Sequence, residues 1–213
     1  MLILVINCGS SSAKYQLFDI KKNRSLAKGV VERIGQPGSS LHHQLDGKDF
    51  GTKKVSCENH HTAIEIIVSI LTDKHHGAIA STSQIDGIGH RVVHGGEEFR
   101  ESTLITEKVI RSVEKYSELA PLHNPPSLSG IKACSKILKG IPQVAVFDTS
   151  FHQTMPQEAF LYGLPFKYYT KYGIRRYGFH GTSHRFVSEK AAKVLRRPLK
   201  SLKLITCHLG NGC

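Results

Sequence analysis

The sequence predicts an α/β protein built on a mixed sheet, and three observations carry that prediction. Short strand-like segments separated by tight turns fill the N-terminal quarter of the chain. Helical periodicity then alternates with short apolar runs. With 213 residues, 39% apolar and 22% charged, the chain has enough material for a sizeable core and the balance of a soluble globular protein. One large domain or two small ones fit that length.

The strands come first. The apolar run of residues 2–6 and the segment Tyr15-Gln16-Leu17-Phe18-Asp19-Ile20 flank a polar turn, and residues 21–24 form another turn. Residues 29–34, 41–45 and 53–56 are further strand candidates, with Asp46-Gly47 as a turn signal. Ile64, Ile67, Val68 and Leu71 recur at helical spacing, which predicts an amphipathic helix over about residues 61–72. Residues 85–93 return to strand and end in the loop His94-Gly95-Gly96. Thr106 is placed to cap a helix running to about residue 119. Residues 121–126, with three prolines, predict a rigid non-helical bridge before a helix over about 128–138. Residues 144–147 predict a short buried strand with Asp148 at its end. After a long connection, Thr182 or Ser183 is expected to cap a helix whose apolar face is Phe186, Val187, Ala191, Val194 and Leu195. Residues 202–206 predict a last strand leading into His208-Leu209-Gly210-Asn211-Gly212.

Several function classes are disfavoured by composition. The N-terminal apolar run is too short to span a membrane and lacks a basic flank or cleavage site, so neither a signal peptide nor a transmembrane helix is expected. The five cysteines (Cys8, Cys57, Cys134, Cys207, Cys213) are scattered without a C-x-x-C, which argues for a reducing cytoplasm and against a disulfide framework or a structural zinc site. The net charge of +12 is uneven: residues 164–213 hold 11 Lys and Arg and the single acid Glu189. That basic segment admits a nucleic-acid surface, but no stacking motif interleaves it. It equally fits a piece of a larger protein whose acidic complement is elsewhere.

The turn Asn7-Cys8-Gly9-Ser10-Ser11-Ser12-Ala13-Lys14 resembles a phosphate cradle yet fails the P-loop pattern. It has one glycine, no Ser or Thr after Lys14, and a strand rather than a helix behind it. A hairpin tip can still hold phosphate through close backbone approach, hydroxyls, amide N–H groups and the Lys14 ammonium. On this stretch alone, a solvated serine-rich turn stands beside an anion site.

Other chemistries fit poorly. His90 and His94 would lie about 13 Å apart if extended, and His180 and His184 lack the Glu of H-E-x-x-H. No G-x-S-x-G elbow occurs. Phosphoryl transfer fits better, because it needs cations, a Mg2+ ligand and groups that hold the acceptor in line. Arg91 closes a strand beside a Gly-Gly loop, Asp148 closes the central strand, His180 precedes a helix, and His208-Leu209-Gly210-Asn211-Gly212 forms a second Gly-rich turn. Each alone has a plainer reading, as a surface ion pair, a cap or a loop histidine; together they suggest a site.

In order along the chain, "NCGSSSAK", "GHRVVHGGEEF", "LAPLHNPPSL", "VAVFDTSFHQTMP", "YGIRRYGFHGTSHRFV" and "HLGNG" closely resemble the acetokinase family. The resemblance implies the ribonuclease H-like fold of the superfamily of acetate and sugar kinases, chaperone ATPases and actin. It divides the chain into one complete domain over residues 1–150 and the start of a nucleotide-binding domain over 151–213. It implies reversible phosphoryl transfer between ATP and acetate, giving ADP and acetyl phosphate with Mg2+, in the cytoplasm, with no nucleic-acid or membrane partner. By position, Asn7 corresponds to the Mg2+ site, and Lys14 with Ser10, Ser11 and Ser12 to the ATP phosphates. His208, Leu209, Gly210, Asn211 and Gly212 correspond to the second phosphate loop. Arg91 corresponds to the acetate contact, Asp148 and His180 to catalytic groups, and Val93, Leu122 and Phe179 to the methyl pocket. Family members run to about twice this length, consistent with two domains, and form homodimers, so much of the second domain and of the dimer interface is expected to be missing. Impaired turnover is expected in consequence. Propionate or butyrate as acceptor, and a non-catalytic nucleotide-binding fragment, are the alternatives.

Overall fold

Side-chain alternation in the first hairpin decides which way the sheet faces. In the computed structural model, which describes residues 1–210, Leu4, Ile6 and Cys8 of β1 (Leu2–Cys8) are buried, as are Ala13, Tyr15 and Leu17 of β2 (Ser12–Asp19). The strands pair antiparallel with Ile6 opposite Tyr15 and Asn7 opposite Lys14. A period of two therefore puts both buried sets on one face and leaves Asn7 and Lys14 on the other.

The chain divides into two compact units, residues 1–94 with 103–146, and residues 95–102 with 147 onward. The first unit holds the sheet. β3 (Arg24–Glu32), β4 (Ser40–Leu45) and β5 (Lys48–Lys54) continue the antiparallel meander from β2. On the other side of β1 lie β6 (Gly87–Val92), β8 (Gln143–Phe147) and the short β7 (Thr103–Leu104), in the order β5-β4-β3-β2-β1-β6-β8-β7. β6 runs parallel to β1, which requires a crossover. α1 (His60–Leu71) lies on that crossover. It starts at His60 because the Asn59 side chain accepts from the Thr62 N–H at 3.1 Å.

The core forms between the sheet and two helices. Ala63, Ile64, Ile67 and Leu71 of α1, and Ala133 and Cys134 of α3 (Asn124–Ile137), join Leu4, Ile6, Leu17, Val31 and Ile88. Each fully buried leucine or isoleucine contributes about 1.5–3 kcal/mol relative to exposure. Polar groups within this layer are paired. His43 donates from Nε2 to the His76 carbonyl at 2.8 Å, which leaves Nδ1 to accept the Tyr15 hydroxyl at 2.6 Å. Gly29 makes room for that pair, since a Cβ there would lie 2.6 Å from Tyr15 Oη and 2.3 Å from the His42 carbonyl.

Thr106 caps α2 (Glu107–Lys115) as expected, accepting from Val109 N–H. α3 corrects the expectation of a non-helical bridge: it begins at Asn124, with Pro125 and Pro126 in its first turn. Proline is tolerated there because those N–H groups have no intrahelical acceptor.

The second unit contains α4 (Gln157–Phe160), α5 (Lys167–Tyr172) and α6 (Gly181–Leu195). Neither Thr182 nor Ser183 caps α6. His180 stands at the cap in the left-handed region, φ 53°, and the helix opens at Gly181. The expected apolar face of α6 is largely exposed, with Phe186 at 67% and Val194 at 70%, while Gly181, Ser188 and Ala192 are its buried residues. Residues 202–206 form no strand. Both departures have one cause: among the described residues this unit offers no sheet for a strand to join or a helix to cover. No helix among the described residues is long and apolar enough to cross a membrane.

Burial holds His90 and His94 neutral, lowering each from the ordinary 6.5 to about 4. Below pH 6.5 the unfolded chain takes up protons that these folded imidazoles refuse, so their stabilisation is complete above that pH and lost as pH falls toward 4. Urea midpoints followed by circular dichroism should fall steadily from pH 7 to 5, and fall less in His90→Gln. A pH-independent midpoint would contradict the assignment.

Candidate active site

Strand register builds a polar row on the open face of the first unit. Asn7 and Lys14 are direct cross-strand partners. Ile3 pairs with Gly87 and Val5 with Gly89 across β1 and β6, so Arg91 follows beside Asn7 on the same face. Arg91 Nη1 donates to Asn7 Oδ1 at 3.5 Å, a long bond that brings the guanidinium to the hairpin tip. Residues 9–12 turn tightly, with Gly9 N–H donating to the Ser12 carbonyl at 2.8 Å and Ile34 N–H to the Ser11 carbonyl at 3.0 Å. Ser10 is exposed and Ser11 and Ser12 are half-buried. Cys8, beneath the turn, is no nucleophile: burial pushes its thiol up to about 12.

The loop after β6 is pinned from α3. Asn124, fully buried, accepts the His94 N–H at 3.0 Å and donates back to the His94 carbonyl at 3.0 Å, with a further bond to Val113 O at 3.2 Å. Of the expected methyl-pocket residues in this unit, Val93 is buried and Leu122 is 70% exposed.

In the second unit Asp148 is 1% exposed, directly after β8, and its carbonyl accepts the Gly181 N–H at 3.0 Å. A Cβ at Gly181 would lie 2.3 Å from that oxygen, so glycine is what lets α6 start against Asp148. The same contact explains why the helix opens before the expected caps. His180 is held at positive φ, a conformation costing a non-glycine residue about 1–3 kcal/mol. Its ring stacks on His208 at 4.2 Å between centroids and 4° between planes. His208 Nδ1 lies 2.9 Å from Ser183 Oγ, and His184 Nδ1 lies 2.7 Å from Thr206 Oγ1. His152 donates from Nε2 to the Phe179 carbonyl at 3.0 Å, and Phe179 itself is 45% exposed. Within this unit Asp148, Phe179, His180 and His208 are thus linked through α6 and its flanks. Leu209 is exposed; Gly210 ends the described residues, and Asn211 and Gly212 lie outside them.

Two groups escaped the sequence reading. Asn124 reads as a bridge residue until α3 shows it inside the first turn. Arg175 is 7% exposed, pairs with Glu97, and stacks on Phe160 at 3.6 Å. Glu97 also accepts from the Tyr169 hydroxyl at 3.1 Å. An arginine in a basic run gives no sign in sequence that it is buried; its partner lies 78 residues away.

For a metal, Asn7 offers one amide oxygen, the donor type that a hard cation takes. Among the described residues no group of three or more His, Cys, Asp or Glu could hold an ion. Mg2+ keeps several waters and takes one or two protein carboxylates beside substrate phosphate; the Asn7 amide oxygen, which also accepts from Arg91 Nη1, would supply a single neutral donor.

The Acetokinase family model matches residues 2–213. The chain belongs to the acetokinase family. It is 57% identical over 212 residues to an acetate kinase of Halothermothrix orenii, covering 100% of this chain and 53% of that protein. The crystal structure of Porphyromonas gingivalis acetate kinase superposes with a TM-score of 0.92 at 48% identity, covering 99% of this chain and 53% of that one. A propionate kinase from Francisella tularensis superposes at 0.85 with 40% identity, covering 92% and 49%. The chain spans about half the length of the curated relatives it matches. The expected ribonuclease H-like α/β fold of the kinase and actin superfamily holds for it.

Gly181→Ala should cost about 1–3 kcal/mol, because the atom it strikes is backbone and cannot swing aside. Urea unfolding checks this; an unchanged midpoint would show that α6 does not press on Asp148.

Proposed function

We propose that the chain is part of an acetate kinase-type phosphotransferase, moving a phosphoryl group between ATP and acetate to give ADP and acetyl phosphate. The observation that carries the reading is the row Asn7, Lys14 and Arg91, brought by register to one face beside a serine-rich turn. Residues 1–150 are assigned to the complete domain and 151–213 to the start of the nucleotide-binding domain.

The chemistry asks little covalent work of the protein. Acetate, with a pKa near that of an aspartate side chain at about 4, is already ionised at neutral pH, so no strong base is needed. Arg91 takes the acceptor carboxylate or acetyl phosphate through its planar fork. Lys14, Ser10, Ser11 and Ser12 take phosphate oxygens, with His208, Leu209, Gly210, Asn211 and Gly212 as the second phosphate loop. Asp148 acts by position and electrostatics, and His180 stabilises charge on the moving phosphoryl group. Val93, Leu122 and Phe179 receive the methyl group. Mg2+, held through Asn7 Oδ1, supplies charge neutralisation at phosphate oxygens when bound.

The resemblance to a propionate kinase supports a second reading for the acid. One methylene is worth only about 1–3 kcal/mol in an apolar pocket, so apolar contacts alone separate the two acids weakly. Rates on acetate and propionate separate the two.

Calorimetric titration with acetyl phosphate tests the main reading. Arg91→Ala should weaken binding about tenfold to a hundredfold, the weight of hydrogen bonds to a charged group; equal affinity would overturn the role of Arg91. In a hydroxamate assay the 213-residue chain should give far less acetyl phosphate than a full-length family member, and equal turnover would contradict that expectation.

A further inference from the structure

We propose that His60 is the positioning residue for the turn of residues 9–12, holding the Gly9 carbonyl so that the turn keeps the shape that receives phosphate. The proposal deepens the phosphate reading above and rests on it for its functional arm.

A turn that binds an anion must present N–H and O–H groups and keep its carbonyl oxygens engaged elsewhere, because carbonyl lone pairs repel phosphate. Three carbonyls of this turn are engaged. The Ser12 carbonyl accepts from Gly9 N–H and the Ser11 carbonyl from Ile34 N–H. The Gly9 carbonyl lies 2.7 Å from His60 Nε2. The first two donors are backbone groups that any sequence would supply. The third is a side chain 51 residues away in sequence.

The acceptor identifies the proton. A carbonyl oxygen cannot donate, so Nε2 carries hydrogen, in the neutral tautomer and in the imidazolium alike. His60 is also well placed to act as a fixed arm. It is the first residue of α1, directly after the Asn59 cap, and the same helix is anchored by the fully buried Ala63, Ile64, Ile67 and Leu71. The helix thereby transmits the position of the core to the hairpin tip. His60 is half-buried and touches the turn through its Gly9 bond, so it is a positioning group rather than a catalytic one.

Two substitutions and two readouts test this. His60→Ala removes the donor; His60→Gln restores an N–H at nearly the same reach. Amide hydrogen exchange by NMR reports the turn through Gly9 N–H and Ile34 N–H, with Leu17 in β2 and Ile67 in α1 as references. Calorimetry with MgATP reports function. In His60→Ala, Gly9 and Ile34 should exchange about three- to tenfold faster while Leu17 and Ile67 are unchanged, and the MgATP Kd should rise by a similar factor, the weight of one hydrogen bond. His60→Gln should recover most of both. Unchanged exchange at Gly9 and Ile34, loosening of Leu17 and Ile67 as well, an unaltered Kd despite a loosened turn, or failure of Gln to rescue would each overturn the proposal. If the wild-type chain takes up no MgATP, the phosphate reading of the turn fails, and exchange alone decides whether His60 holds it.

Discussion

Pairing of β1 on both of its edges is the constraint on which the first unit depends. Antiparallel pairing with β2 sets Asn7 against Lys14, and parallel pairing with β6 sets Arg91 beside Asn7. Both registers are enforced by the opposite face, where Leu4, Ile6, Tyr15 and Leu17 are buried against α1 and α3. A one-residue slip would expose those side chains and turn Lys14 toward the core. Burial of apolar area, worth several kcal/mol here, therefore fixes the polar row without any direct interaction between its members and the core.

The second unit uses a different device. It has no sheet of its own among the described residues, and its order comes from close backbone approach and an ion pair between the buried Arg175 and the half-exposed Glu97. Gly181 lets α6 begin against the Asp148 carbonyl, and the adjoining His180 is left at positive φ and stacked on His208. Strain at a histidine that directly precedes the glycine bonded to Asp148 is the kind of local cost that surrounding structure must hold in place. Elsewhere in the unit Arg175 joins Glu97 to the aromatic rings of Phe160 and Tyr177.

Where local pattern and tertiary environment agree, the sequence was a sufficient guide. The hairpin, α1 and the cap at Thr106 follow from alternation, helical spacing and a hydroxyl before a helix. It was the failure of the P-loop pattern, a strand after Lys14 instead of a helix, that identified the hairpin. Local pattern misled where a partner decides. Pro125 and Pro126 look like breakers but occupy helical positions that need no N–H. Thr182 and Ser183 look like caps, but the Gly181 bond to Asp148 starts α6 earlier. Residues 202–206 and the α6 face carry the periodicity of packed elements, yet periodicity says nothing about whether the packing partner is within reach. Arg175 and Asn124 were illegible for a related reason: burial of a polar group depends on partners far away in sequence. The candidate site residues are picked out largely by multi-residue motifs, because roles such as those proposed for Asn7 and His208 have no periodic signature.

The proposed phosphate site lies on the open face at the tip of β1 and β2. The most direct measurement is a 15N NMR titration of the chain with MgATP. A phosphate site there should give shift changes concentrated at residues 9–14 and at Arg91, diminished in Lys14→Ala. Changes confined to the basic segment of residues 164–213, or equal in Lys14→Ala, would contradict it.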